Sequence, residues 1–287
     1  MPAPHPGLAW AEKTPEGRAW LERLPALIDE CIAEWEVELG PPFPYAQASL
    51  ASPARLPDGG EAVLKICFPH RESEHEGDAL RAWDGNGAVR LLAHDPERWA
   101  LLIERCVPGT ALREEEPERA LDVFSELLPL LWIPATPPFR PLAEEAAWWA
   151  EGLERSWTDA GRPFERRLLD AAISYLRELP PTQGEQVLLH QDLHADNVLR
   201  AGRAPWLVID PKPLIGEREF GLAPIVRSFE LGHSERAVRQ RLDRLSGDPG
   251  VDRERARGWA IAQTVAWAFD SEYLPQHIET ARWLLDA

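Results

Sequence analysis

Residues 188–197, LLHQDLHADN, carry two histidines, two aspartates and an asparagine within ten positions. Apolar runs at 186–189 and 206–209 predict two short strands, so these polar side chains should lie in the connection between them. A single polar residue here could simply cap a turn or bond to its neighbours. Such a purely structural role does not readily account for five of them in ten positions. The run is therefore predicted to hold a ligand, either a metal or a phosphate.

A metal site requires the run to continue as a strand. Every second side chain would then lie on one face and could hold zinc or the two metals of a hydrolase. The four residues on that face are His190, Asp192, His194 and Asp196. The site would need further ligands, but the sequence has no HExxH helix, and its three cysteines are widely spaced. A metal-dependent hydrolase therefore stays an alternative.

The same run matches the H-x-D-x-x-x-x-N loop of phosphotransferases, with His190, Asp192 and Asn197 in the fixed positions. In that loop the aspartate accepts the proton of the attacking hydroxyl and the asparagine binds Mg²⁺. The strand at 206–209 ends at Asp210, which offers Mg²⁺ a second oxygen ligand. The order of these residues predicts phosphoryl transfer, with Asp192 as the base and Asn197 and Asp210 as metal ligands.

Lys65 is the predicted cation for the nucleotide phosphates. It lies in the second strand of a predicted hairpin whose turn is residues 57–60, PDGG. Strand alternation puts Leu64 and Ile66 on the opposite, core-facing side. The next helix carries Glu76 on its inner face, where it is expected to orient the lysine.

The composition divides the chain near residue 107. Residues 1–107 predict helices packed on a small antiparallel sheet, including a first helix that is capped by Thr14 and kinked or split at Pro25. Residues 108–287 predict helices separated by proline-rich segments, with two short strands around the polar run. We expect an α+β fold with two lobes, the first binding nucleotide and the second carrying the catalytic loop and the acceptor site.

The charge and hydropathy of the chain restrict its partners. A formal net charge of −17 argues against binding nucleic acid or an anionic membrane and favours a cationic small molecule, although acidic excess also serves solubility. No apolar run is long enough for a membrane span, and the N-terminus is unlike a secretory signal, so we expect a cytoplasmic protein. Acidic side chains near the C-terminal helices are the expected contacts for a cationic acceptor: Glu217, Asp270 and Glu272.

Five stretches resemble the aminoglycoside phosphotransferases, most closely the streptomycin 6-phosphotransferases and hydroxyurea-type antibiotic kinases: AVLKI (62–66), HEGDALRAWDGNGAVRLL (75–92), LLIERCVPGTAL (101–112), LLHQDLHADNVL (188–199) and WLVIDPKPLIGEREFGLAP (206–224). The resemblance covers residues 45–230. It implies a protein-kinase-like fold with a small N-terminal sheet lobe, a larger, mainly helical C-terminal lobe and ATP in the cleft between them. It also implies an adenine site near Glu104, Arg105 and Cys106, and streptomycin as acceptor.

The chain departs from protein kinases at several positions. Gln191 replaces the arginine that pairs with a phosphorylated activation loop, and Pro211 and Lys212 replace Phe-Gly after the metal-binding aspartate. An always-active kinase of small molecules fits these differences. The segment expected to cover the phosphates lacks glycines, so backbone amides with Ser49 and Ser52 should replace them.

Four residues around the loop have roles that the loop pattern does not fix. His190 is expected to brace the loop, whereas His194 and Asp196 stay open. Lys212 either reaches a phosphate or pairs with Glu217 or Glu219 at the surface. Two further functions stay open as well, phosphorylation of an endogenous sugar, amino alcohol or nucleoside, and nucleotide binding without transfer. The sequence does not predict an oligomeric state.

Overall fold

The computed structural model describes residues 6–44, 48–135, 137–247, 250–271 and 273–286. The chain forms two compact units. The first contains the residues up to Gly109 together with Ala201–Pro205, and the second contains the remainder. Within the described ranges, no helix has the length and apolar character needed to cross a bilayer.

The first unit is built on an antiparallel five-stranded sheet in the order β1-β2-β3-β5-β4, with two α-helices. Its elements are α1 (Pro15–Trp35), β1 (Glu38–Leu39), β2 (Ser49–Arg55), β3 (Glu61–Cys67), α2 (Glu76–Trp83), β4 (Leu91–Asp95) and β5 (Ala100–Glu104). A 3₁₀ helix, Pro6–Lys13, precedes α1. The apolar face of α1 packs on the sheet and forms one core with β2, β3 and β5.

The hairpin of β2 and β3 confirms the turn predicted at residues 57–60. Leu56 N–H donates to the Gly60 carbonyl, and Gly60 N–H donates to Asp58 Oδ1 at 2.9 Å. Gly59 takes a φ of 86°, a left-handed conformation that favours glycine. The resulting register directs Leu64 and Ile66 into the core, as predicted.

Helix α1 begins as predicted but is not divided at its internal proline. Thr14 Oγ1 accepts from Gly17 N–H at 3.0 Å, which caps the helix. Of the kink or split expected at Pro25, the split is wrong, because α1 continues to Trp35. Pro25 faces solvent, while Leu24 and Leu27 on either side of it are buried in the core and hold both halves against the sheet.

The second unit is mainly helical. Its helices are α3 (Pro117–Leu131), α4 (Leu142–Asp159), α5 (Arg166–Glu178), α6 (Ala223–Val226), α7 (Glu235–Leu245), α8 (Arg253–Trp267) and α9 (Leu274–Leu285). Its strands are β6 (Arg140–Pro141), β7 (Gln186–Leu189), β8 (Val198–Arg200), β9 (Trp206–Val208) and β10 (Leu214–Glu217). Helix α8 is buried over most of its length and contacts α5, α6 and α9.

Two short strand ladders flank the polar run. Strand β7 ends at Leu189, which pairs with Leu214 of β10, and β8 begins at Val198, which pairs with Val208 of β9. Residues 190–197 therefore leave one ladder and enter the other. Asp210 lies just after β9. The loop at 190–197 and Asp210 are therefore both fixed at the ends of paired strands.

Candidate functional site

Residues 190–197 form a loop rather than a strand. Residues 190–194 are irregular, and Ala195–Asn197 form a 3₁₀ turn. The buried His190 ring donates from Nε2 to the Ile209 carbonyl at 2.9 Å. Burial lowers the pKa of His190 to about 4, so the ring is neutral near pH 7. The strand geometry required by the hydrolase alternative is therefore not formed.

A strained turn presents Asp192. Gln191 takes a φ of 63°, uncommon for a residue with a side chain, and Asp192 N–H donates to the His190 carbonyl at 2.8 Å. Gln263 of α8 donates from Nε2 to the Gln191 carbonyl at 2.9 Å. Both of these side chains are buried. The turn is thus held from the core of the unit, which fixes the direction of the aspartate that follows.

Cationic groups surround the Asp192 carboxylate. Lys212 Nζ lies 3.0 Å from Oδ2, Arg227 Nη2 lies 3.3 Å from Oδ1, and His194 Nε2 lies 3.9 Å from Oδ2. Burial alone would raise the pKa of Asp192, but Lys212, His194 and Arg227 outweigh it and hold the pKa far below its usual range. Asp192 is therefore a carboxylate at any physiological pH.

The Trp267 ring contacts two of these cations. Lys212 Nζ lies 4.8 Å and the Arg227 guanidinium 4.6 Å from the ring centroid, within the range of cation–π attraction. Trp267 is the last residue of α8, and Arg227 follows the short α6. Sequence reasoning did not identify Arg227 or Trp267, since neither belongs to a recognisable motif.

Asn197 and Asp210 have the chemistry of a magnesium site. Asn197 donates from Nδ2 to the Asp192 carbonyl at 2.9 Å, which leaves its amide oxygen as a potential ligand. Ile209 N–H donates to the Asn197 carbonyl at 2.9 Å. Asp210 is the next residue in the chain, so this bond holds its backbone close to Asn197. Asp210 takes a φ of 60°. An amide oxygen and a carboxylate are hard oxygen ligands of the kind that Mg²⁺ accepts.

A second group of potential metal ligands lies beside the loop. One donor atom each from His194, Asp196 and Glu230 lie within 4.8 Å of one another. His194 Nδ1 is 3.0 Å from Glu230 Oε1, and Arg113 Nε is 3.1 Å from Asp196 Oδ1. Burial opposes ionisation of Glu230, but His194 and a hydroxyl neighbour lower its pKa to about 2. These groups already form ion pairs within the protein.

Buried Arg241 of α7 supports the segment that carries Arg227 and Glu230. Its guanidinium donates to the carbonyls of Val226 at 3.1 Å, Leu231 at 3.2 Å and Gly232 at 2.9 Å. Burial lowers the pKa of Arg241 to about 10, which still leaves it charged near pH 7. One side chain thus fixes both ends of the segment that contacts Asp192 and His194.

Lys65 and Glu76 meet in the first unit. Lys65 Nζ lies 2.6 Å and 2.7 Å from the two carboxylate oxygens of Glu76, and both side chains are buried. Lys65 comes from the middle of β3, and Glu76 from the first turn of α2. The pair therefore links the sheet to the helix, the arrangement that the strand and helix periodicity predicted.

The other residues predicted for nucleotide binding also lie in the first unit. Ser49 and Ser52 are buried in β2, so they belong to a paired strand and not to a free loop; residues 45–47 lie outside the described residues. Glu104 ends β5 and accepts from Arg203 Nη2 at 2.9 Å and from Arg90 N–H at 3.0 Å. Burial raises the pKa of Cys106 to about 12, so its thiol stays protonated.

Of the three carboxylates expected at the acceptor site, the structure describes the side chain of Glu217 alone. Glu217 is 1% exposed and binds Arg255 at 2.7 Å and the Trp259 indole N–H. It holds β10 against α8 and is closed off from solvent. Asp270 ends a 3₁₀ turn and its side chain is not described, and Glu272 lies outside the described residues.

Lys212 contacts Asp192, the base of the predicted catalytic loop. Its two proposed partners are engaged elsewhere: Glu217 binds Arg255, and Glu219 accepts from Asp252 N–H at 3.0 Å. Sequence alone could not separate these possibilities, because the position of Lys212 depends on a backbone bond to the distant His190.

Comparisons with known proteins place this geometry in context. Residues 35–271 match the family model described as aminoglycoside/hydroxyurea antibiotic resistance kinase. The streptomycin 6-kinase of Streptomyces griseus is 39% identical over 255 residues, covering 86% of this chain and 83% of that protein. The hydroxyurea phosphotransferase of Kitasatospora aureofaciens is 40% identical over 254 residues, covering 87% of this chain and 73% of that protein.

Solved structures support the predicted fold class. A choline kinase from Streptococcus pneumoniae matches with a TM-score of 0.66 at 14% identity, covering 92% of this chain and all of that one. A spectinomycin phosphotransferase matches with a TM-score of 0.56 at 11% identity, covering 91% of this chain and 93% of that one. These proteins share the protein-kinase-like α+β fold, which confirms the expectation from the sequence.

Proposed function

The chain belongs to the aminoglycoside/hydroxyurea antibiotic resistance kinases, and from this we propose that it transfers the γ-phosphate of ATP, with Mg²⁺, to a hydroxyl group of a small cationic antibiotic. The observation that carries the proposal is the Asp192 carboxylate, held ionised on a fixed turn directly beside the Asn197 and Asp210 segments. Phosphoryl transfer needs this kind of positioning more than it needs covalent chemistry.

Asp192 would orient the acceptor hydroxyl and accept its proton. Its low pKa makes it a weak base, which suits a loose transition state in which the proton leaves late. The fixed Gln191 turn and the bonds to Lys212 and Arg227 limit the directions in which the carboxylate can point. The main contribution of Asp192 is therefore to align the hydroxyl with the phosphorus.

Asn197 and Asp210 would hold Mg²⁺. When bound, the ion would supply positive charge to neutralise the charge that develops on the leaving group. Asn197 would contribute its amide oxygen and Asp210 its carboxylate. The hydrogen bond from Asn197 to the Asp192 carbonyl fixes the position of Asn197 relative to Asp192.

The first lobe, residues 1–107, would bind the nucleotide. Lys65 would contact its phosphates and Glu76 would keep the lysine extended and charged. Ser49 and Ser52 would line the phosphate side, while Glu104 and Cys106 at the end of β5 would lie next to adenine. The second lobe, residues 108–287, would supply the catalytic loop and the acceptor site.

We propose streptomycin as the acceptor, since the Streptomyces griseus relative is a streptomycin 6-kinase. Asp196 and Glu230, which are 36% and 22% exposed beside His194, are the carboxylates placed to receive its cationic groups. The formal net charge of −17 would also attract a cation. With ATP as the donor, we place the reaction in the cytoplasm.

The test is a transfer assay with purified protein, ATP and Mg²⁺. Streptomycin and hydroxyurea are offered separately, and products are identified by mass spectrometry as a gain of one phosphoryl group. We expect phosphorylated streptomycin from the wild-type protein, at least about 10³-fold less in the same time from Asp192→Asn, and none above background when EDTA replaces Mg²⁺. The proposal fails if neither acceptor is modified, or if Asp192→Asn turns over as fast as wild type.

A further inference from the structure

We propose that Lys212 is a catalytic residue whose amine contacts the transferring phosphoryl group on the side of the attacking hydroxyl. The proposal rests on the proposed function and assigns a role that the phosphotransferase loop pattern does not include. Of the three lysines in the chain, Lys13 and Lys65 lie in the first unit and Lys212 in the second.

The backbone around Lys212 places it with the catalytic groups. Lys212 N–H donates to the His190 carbonyl at 3.0 Å, which joins the start of the catalytic loop to the segment after β9. Buried prolines at 211 and 213 flank the lysine and restrict its backbone. Asp210, the proposed metal ligand, lies two residues before it. The lysine and the metal ligand thus come from one short, rigid segment.

The contact between Lys212 and Asp192 locates the amine relative to the reaction. Lys212 Nζ is 3.0 Å from Asp192 Oδ2. An acceptor hydroxyl held by this carboxylate lies roughly 2.6–3.2 Å from it, and about 3–3.5 Å from the phosphorus that it attacks. An ammonium on the same carboxylate is therefore within a small side-chain movement of the phosphoryl oxygens.

Arg227 makes such a movement possible without leaving Asp192 uncompensated. Its guanidinium holds Oδ1 at 3.3 Å, and Arg241 anchors the preceding carbonyl of Val226 at 3.1 Å. An ammonium on a four-carbon stem has three donors and can bond to a carboxylate and a phosphate together, whereas a guanidinium is a planar fork. The Trp267 ring, 4.8 Å away, keeps the amine in this region.

In the reaction, the bond between the γ-phosphorus and the oxygen that leaves with ADP breaks, and that oxygen keeps the electron pair. The acceptor oxygen bonds to phosphorus, and its proton passes to Asp192 and then to solvent. Charge spreads over the three equatorial oxygens of the phosphoryl group. Lys212, which keeps its own proton, would neutralise the charge on the attacking side, while a Mg²⁺ ion held by Asn197 and Asp210 would do so on the leaving-group side.

The first experiment compares Lys212→Met with Lys13→Met, a matched loss of an exposed lysine. With ATP, Mg²⁺ and streptomycin, Lys212→Met should lower kcat by about 100-fold with each KM changed less than about threefold. Lys212→Arg should recover part of the loss, and Lys13→Met should match wild type. A kcat within threefold of wild type, or a loss confined to KM for streptomycin, overturns the proposal.

A double substitution separates direct contact from an action through Asp192. If Lys212 only positions the aspartate, Lys212→Met has no further effect once Asp192→Asn is present. The proposal predicts a further loss of at least about tenfold in that background, measured with radiolabelled ATP. Equal residual rates for the single Asp192→Asn and the double variant would overturn it.

Binding of ADP, Mg²⁺ and aluminium fluoride, a mimic of the phosphoryl group in transfer, gives a readout that needs no acceptor. Lys212→Met should bind ADP and Mg²⁺ as wild type does, but should lose the tightening caused by aluminium fluoride. If it keeps that tightening, only the role of Lys212 is overturned. If wild type does not bind ADP and Mg²⁺ at all, the proposed function fails and the role of Lys212 with it.

Discussion

Two groupings of amines and acids differ in how they are built: Lys65 with Glu76 in the first unit, and Asp192 with Lys212, Arg227 and His194 in the second. Lys65, Glu76 and Asp192 are buried, whereas the three cations around Asp192 are half-buried. In the first, which we call the Lys65 pair, one carboxylate accepts two short bonds from one ammonium. In the second, the Asp192 cluster, one carboxylate is shared among several cations. In the Lys65 pair the carboxylate fixes the position of the lysine. In the Asp192 cluster the cations fix the position and the ionised state of the carboxylate.

The difference matters because burial of a charge is costly unless a partner compensates it. A single carboxylate balances Lys65 and leaves its direction well defined. Lys212, His194 and Arg227 together bring more than one positive charge to Asp192, which lowers its pKa. The Lys65 pair therefore suits steady binding of a nucleotide, and the Asp192 cluster suits a group whose charge changes during reaction.

The largest expected effect compares the members of the Asp192 cluster. Asp192→Asn should lower kcat by about 10³- to 10⁴-fold, because the hydroxyl loses both its alignment and its proton acceptor. Arg227→Gln should lower kcat by only about 10- to 100-fold, because Lys212 and His194 still compensate the acid. Steady-state rates with streptomycin and ATP measure both. Equal losses would show that the cations matter as much as the acid.

The Lys65 pair should show the opposite order. Lys65→Met should lower kcat/KM for ATP by about 10³-fold, because the phosphates lose a cation and Glu76 is left buried without its partner. Glu76→Gln keeps the ammonium and a hydrogen-bond acceptor, and should cost about ten times less. Kinetics at varied ATP concentration decide the order. A more damaging Glu76→Gln would mean that the acid, not the lysine, is the functional member.

Arg241→Met tests how far the Asp192 cluster depends on its support. The substitution leaves the carbonyls of Val226, Leu231 and Gly232 without their buried donor, so we expect a loss of about 3 kcal/mol in the free energy of unfolding. Urea unfolding measures this loss. Arg239→Met on the same helix, where the arginine is 37% exposed, is the control and should cost less than about 1 kcal/mol.

Buried His277 should make the stability of the protein depend on pH. Burial, with Arg227 and His233, lowers its pKa from 6.5 to about 3. The unfolded chain therefore binds a proton that the folded protein excludes, and stability should fall by about 1.4 kcal/mol per pH unit as pH drops from about 6.5 towards 3. Urea unfolding at several pH values should show a shallower slope for His277→Phe. Identical slopes would contradict the depressed pKa.

The two groupings also differ in how much of them the sequence predicted. The Lys65 pair joins a strand to the helix that follows it, so period-two and helical spacing were enough to place both side chains. Asp192, Asn197 and Asp210 followed from loop spacing and from a strand that ends in an acid. These are local patterns, which sequence carries well.

The rest of the Asp192 cluster depends on distant segments. Arg227 reaches Asp192 from the end of α6, and Trp267 from the end of α8. No spacing rule connects residues so far apart. Glu217 shows the converse, since an acid predicted to meet a ligand is instead buried against Arg255 and Trp259. Whether a lone carboxylate is structural or functional depends on the helix that packs on it, which the sequence does not reveal.

We propose that Asp192 faces the acceptor hydroxyl while Asn197 and Asp210 hold the metal. A crystal structure with ADP, Mg²⁺ and streptomycin tests it most directly. We predict one hydroxyl of streptomycin within hydrogen-bond distance of the Asp192 carboxylate, and Mg²⁺ bound by Asn197 and Asp210. A metal held by His194, Asp196 and Glu230 instead, or an acceptor bound with no hydroxyl near Asp192, would contradict the claim.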